Sequence, residues 1–110
     1  MKNILFICSA NLDRSKTAEV FYAEKIPSLN FKSAGTNHEL YQKAGSNALI
    51  QKYLDWADMA LVIEPKHLTW IPLNLKIGKS IIEVLNIQDS YKYYSRELIE
   101  MFQRVCSRFF

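Results

Sequence analysis

A chain of 110 residues that is 49% hydrophobic can bury one real core and has no room for a second domain, so residues 1–110 read as a single domain. Its formal charge of +3 is scattered without a long basic block, which excludes an obvious nucleic-acid footprint, and no apolar run reaches signal-peptide or membrane-spanning length. The two cysteines, Cys8 and Cys106, lie at opposite ends and outside any zinc-type spacing, which argues against a disulfide scaffold or a metal site and for a cytoplasmic compartment.

Asn3 to Cys8 is an almost unbroken apolar run, as expected of a central strand covered on both faces. Polar residues from Ser9 to Asp13 break it. A helix is then predicted from Ser15 to Lys25, where Ala18, Phe21, Tyr22 and Ile26 recur at helical spacing before Pro27 and Ser28. Phe31 to Ala34 reads as a second strand closed by Gly35. Ser46 to Leu54 reads as a helix with Leu49, Ile50, Tyr53 and Leu54 on one face. Met59 to Ile63 is a third strand, and Pro65 suits the first turn of a short helix ending near Trp70. Ser80 to Leu85 is a fourth strand. The last helix starts at a Ser95 cap and places Leu98, Phe102, Val105 and Phe109 at helical intervals, with Arg104 and Arg108 near the negative end of its dipole.

This alternation predicts an α/β fold of three layers, a four-stranded parallel sheet with helices on both faces, for which the strand order 2-1-3-4 is expected. Ligands of such sheets sit beyond the carboxyl ends of the strands, where Cys8 falls. Trp56, Trp70 and Cys106 are expected in the core or in helix packing, and His38 and His67 as surface or packing residues.

The segment from Cys8 to Ser15 has the spacing C-x5-R-S. A loop closing onto a helix N-terminus aims backbone N–H groups inward and makes a nest for a phosphate dianion. Arg14 adds a planar fork for two equatorial oxygens, and the same positive surroundings favour the thiolate of Cys8, the form that attacks phosphorus. Ser9, Ala10, Asn11, Leu12, Asp13 and Ser15 are the expected substrate-binding residues. Ser15 can donate to the sulfur, and Asn11 is the residue of this glycine-free loop best able to turn left-handed. The plainer reading makes Cys8 a buried strand residue and Arg14 a surface charge; the strand end before the loop and the helix start after it favour the chemistry. Turnover also needs a proton donor, and Asp89, just after the fourth strand and so at the same sheet edge, is the candidate.

Cys8, Asn11, Arg14 and Ser15 match the loop C-x-x-N-x-x-R-S of the low-molecular-weight protein tyrosine phosphatases, which this chain resembles. The resemblance continues through Thr17-Ala-Glu19, Ser33-Ala-Gly-Thr36, Ile63-Glu-Pro-Lys-His67, Asp89-Ser-Tyr91 and the final helix, and is strongest to the short bacterial branch. It implies phosphomonoester hydrolysis through a phosphocysteine, with Cys8, Arg14 and Asp89 catalytic and Tyr91, beside Tyr93 and Tyr94, flanking a phosphotyrosine ring. No cofactor or metal is implied, and neither a membrane nor nucleic acid is indicated as a partner. The implied partner is a phosphorylated substrate, a phosphotyrosine protein or another phosphoester, with inorganic phosphate or sulfate able to occupy the loop.

Four positions depart from the family pattern: Ser90 stands for a proline, Asp13 for a second cysteine, Ala10 for a glycine and Lys16 for a proline. Asp13, Ser90 and the shortened stretch between Thr36 and Asp58 motivate an alternative, a phosphate-binding module of the same fold with weak or lost catalysis. Arsenate reductases of this fold use further cysteines near the site, and the IIB components of sugar phosphotransferase systems lack the loop arginine. The positions of Cys106 and Arg14 argue against both.

Overall fold

Asn3–Cys8 forms β1, whose side chains from Ile4 to Cys8 are all buried in a computed structural model of the chain that describes residues 2–9, 14–36 and 46–110. Alternation along the strand divides those side chains between two cores, because successive residues of a strand point to opposite faces. Ile4, Phe6 and Cys8 join one apolar cluster, and Leu5 and Ile7 join the other. This explains the continuous apolar run.

The remaining elements follow in alternation: α1 (Arg14–Lys25), β2 (Asn30–Gly35), α2 (Asn47–Trp56), β3 (Met59–Val62), α3 (Pro65–Asn74), β4 (Ile81–Val84) and α4 (Arg96–Cys106). The strands form one parallel sheet in the expected order β2-β1-β3-β4. Helices α1 and α4 cover one face through Ala18, Tyr22, Leu98, Phe102 and Cys106. Helices α2 and α3 cover the other through Ile50, Leu54, Ile71 and Leu75, the last just beyond the end of α3. The first core is aromatic at its centre: Phe6 stacks on Tyr22 and Phe31 at 6.0 Å and meets Phe102 edge-on at 5.9 Å.

Two details differ from the sequence reading. Helix α3 runs on to Asn74 and takes Pro72 into its last turns, where the missing N–H removes a single intrahelical bond. Leu49 does not share the buried face of α2; it remains 37% exposed while Ile50 and Leu54 are fully buried. Trp56 and Trp70 pack against the α2/α3 core, and Cys106 is fully buried under α4, as expected.

The topology determines where a ligand can reach the sheet. Chain connections leave β1 for β2 on one side and return to β3 on the other, so a crevice opens beyond the carboxyl ends of β1 and β3. Both sides of that edge are pinned. Thr36 donates to the Cys8 carbonyl at 2.9 Å, Ile63 donates to Ile7 at 2.9 Å, and Ile87 donates to Ile63 at 2.8 Å.

Candidate active site

Cys8 ends β1, paired with Gly35 of β2, and its side chain is 2% exposed. Six positions after Cys8, α1 starts at Arg14, so its N-terminus and the positive end of its dipole face the same edge. The Ser15 hydroxyl lies 2.9 Å from the Cys8 sulfur and 3.4 Å from the Ala34 carbonyl oxygen. A hydroxyl has one proton to give, so it is directed to the sulfur when cysteine is a thiolate, whereas a thiol can itself donate to the Ser15 oxygen.

Arg14 is 3% exposed, an uncommon position for a guanidinium, and it is held by three groups from the two segments that follow β3 and β4. Its Nη1 donates to Glu64, at the end of the third strand segment, and to the Ile87 carbonyl at 2.9 Å; its Nε lies 3.6 Å from Asp89 Oδ1. Burial pushes the Glu64 carboxyl toward its neutral form, but the hydrogen bond and charge of Arg14 outweigh it and hold the group below the usual carboxylate range. Lys66 adds a weaker contact at 3.5 Å. Asp89 is the more open partner, with its side chain 70% exposed.

A second polar chain supports the start of the loop. His67 is 1% exposed; its Nδ1 accepts the Glu64 N–H at 3.0 Å and its Nε2 lies 3.0 Å from the Ser9 hydroxyl. With Nδ1 an acceptor, the neutral ring carries its proton on Nε2 and donates to Ser9. Burial, reinforced by the nearby charge of Arg14, pushes its pKa down from 6.5 to about 4. The ring is therefore neutral near pH 7.

The structure thus brings Cys8, Ser9, Arg14, Ser15 and Asp89 to one sheet edge. Ala10, Asn11, Leu12 and Asp13 lie outside the described residues, as does His38. Tyr91 packs partly buried against the α1/α4 core, while Tyr93 and Tyr94 are 46% and 37% exposed. Two supporting residues carry more than the sequence reading assigned them. Glu64 holds the arginine, and His67 is a buried hydrogen-bonding post beneath Ser9. Their signal was the spacing Glu64-Pro65-Lys66-His67, which starts a helix at a strand end and sets the two polar side chains one turn apart.

No protein-family model and no curated protein matches the sequence. Solved structures do. The tyrosine phosphatase Wzb of Escherichia coli K30, bound to phosphate, superposes with a TM-score of 0.70 at 22% identity, over 98% of this chain and 96% of that one. Wzb of Vibrio vulnificus in complex with benzylphosphonate gives 0.68 at 20% identity, over 96% and 92%. The tyrosine phosphatase AmsI of Erwinia amylovora gives 0.58 at 24% identity, over 98% and 88%. The chain therefore has the α/β fold of the low-molecular-weight tyrosine phosphatases.

Proposed function

We propose that the chain is a member of the low-molecular-weight tyrosine phosphatase family that hydrolyses phosphomonoesters through a phosphocysteine. The observation that carries this is the convergence of a serine-bonded cysteine, a buried arginine and an exposed carboxylate on the carboxyl edge of β1 and β3. In the first displacement the Cys8 thiolate attacks phosphorus, the bond to the leaving oxygen breaks, and protonated Asp89 gives that oxygen its proton. Arg14 and the amides of the 9–14 loop hold the equatorial oxygens. With Nη1 committed to Glu64 and Ile87, the opposite side of the guanidinium serves the substrate. In the second displacement Asp89, now a carboxylate, takes a proton from water as the water attacks phosphorus, and the thiolate leaves with help from Ser15.

Arginine and loop amides supply the charge compensation, so this mechanism does not call on a metal. The substrate class is a phosphotyrosine protein or a similar aryl or alkyl phosphoester, and the compartment we assign is the cytoplasm. Among the described residues no helix is long and apolar enough to cross a membrane. The exposure of Asp89 beside the non-proline Ser90 keeps a second reading in view, an anion-binding module of the same fold that turns over poorly.

Turnover of p-nitrophenyl phosphate separates the two. The phosphatase reading expects metal-independent activity, unchanged by EDTA, that is abolished in Cys8→Ser and reduced about 100-fold in Asp89→Ala. Wild-type protein that binds vanadate without turnover supports the module, and undiminished activity in Cys8→Ser excludes the phosphocysteine.

A further inference from the structure

Asp89 belongs to a segment without regular structure that runs from the end of β4 to the start of α4. Its first anchor is Ile87, whose side chain is 1% exposed, whose N–H donates to Ile63 at 2.8 Å and whose carbonyl accepts from Arg14 at 2.9 Å. Beyond that anchor Gln88, Asp89 and Ser90 are all exposed. No proline or glycine occurs between Gln88 and Ser95, so residue type alone does not stiffen the path or ease a tight turn.

The second anchor lies at the far end. Ser95 donates to the Lys92 carbonyl at 3.1 Å, which closes a turn with Tyr94 at its third position and a φ of 54°. That backbone region favours glycine or asparagine, and a tyrosine there needs a compensating contact. Burial of the ring does not supply it, since Tyr94 stays 37% exposed. The contact is the Tyr94 N–H, which donates to the Thr17 hydroxyl oxygen at 2.8 Å. Thr17 is fully buried and lies one helical turn after Arg14 on α1.

We propose that Thr17 is a positioning residue for the Asp89 acid: its hydroxyl clamps the acid-bearing segment to the helix that carries Arg14 and Ser15, so one rigid element sets the acid against the phosphate site. This inference rests on the reading of Asp89 as the general acid. Both ends of the segment then refer to the arginine, Ile87 directly and Tyr94 through α1. Between the anchors the partly buried Tyr91 rests on the α1/α4 core, and loss of the second clamp loosens that contact and lets the exposed residues 88–90 shift while the cysteine and arginine stay in place.

The test compares kcat/KM for two substrates, because this ratio covers the step in which the leaving group departs. Phenyl phosphate releases a phenol with a pKa of about 10, as tyrosine does, and needs the acid; p-nitrophenyl phosphate releases a far weaker base and needs it less. Thr17→Val is expected to lose about tenfold on phenyl phosphate and less than about twofold on p-nitrophenyl phosphate, whereas Thr17→Ser, which keeps the oxygen, stays near wild type. Asp89→Ala shows the same discrimination more strongly. If Thr17→Val fails to fold, Thr17→Ala against Thr17→Ser makes the same comparison. Equal losses on both substrates, or none, in a variant lacking the hydroxyl would overturn the clamp while a discriminating Asp89→Ala leaves the acid assignment intact. An Asp89→Ala variant that does not discriminate would overturn both, the acid assignment being at fault.

Discussion

A guanidinium buried to 3% exposure needs an opposite charge and fixed acceptors, and Glu64 and the Ile87 carbonyl provide them before any substrate arrives. Arg14 is thereby oriented in advance, which is what a site that binds a tetrahedral anion requires of it. His67 is fixed in the same region and carries a measurable consequence. The unfolded chain takes up a proton near 6.5, but the folded ring takes it only near 4. Between those values the unfolded state binds more protons, so stability rises with pH: His67's contribution is complete above about 6.5 and falls away toward 4. The shift corresponds to about 3 kcal/mol, and Glu64, also depressed in the fold, adds acid sensitivity of the same sign at lower pH. Urea midpoints should fall steeply from pH 6.5 to 4.5 in the wild type and more gently in His67→Gln. A slope unchanged by the substitution would contradict this role.

At the level of elements, the strand reading succeeded where burial is two-sided. The apolar runs at β1 and β3 admit no other placement in a small α/β chain, and both strands are buried nearly throughout. Helix ends were legible where a side chain caps them. Ser46 accepts the Leu49 N–H at 3.1 Å and Ser95 accepts the Leu98 N–H at 3.3 Å. The helix expected to end near Trp70 runs on through Pro72 because the buried Ile71 and Leu75 hold the last turn of α3 against the sheet and outweigh one lost bond. Ser46→Ala is expected to cost about 1 kcal/mol in a denaturation experiment and to leave p-nitrophenyl phosphate turnover within about twofold, since α2 packs in the core on the opposite face of the sheet from the Cys8 side chain. A large loss of activity at unchanged stability would mean that α2 is coupled to the site.

For the molecule as a whole, the strand order generates the crevice, and the crevice collects residues that are up to 81 positions apart in sequence, from Cys8 to Asp89. The short spacing from Cys8 to Ser15 made one half of the site legible, because a strand end, a loop and a helix start are local in the chain. Glu64 and His67 left only their local spacing as a signal and the Thr17–Tyr94 clamp left none, because their roles depend on contacts across 50 to 77 positions that only the folded sheet creates. The central claim is that sulfur is the atom that accepts the phosphoryl group. Rapid acid quench of wild-type protein during turnover of p-nitrophenyl phosphate, followed by peptide mass spectrometry, tests it most directly. The account predicts a phosphoryl group on the peptide containing Cys8 and none in Cys8→Ser; turnover with that peptide unmodified and the modification elsewhere would contradict it.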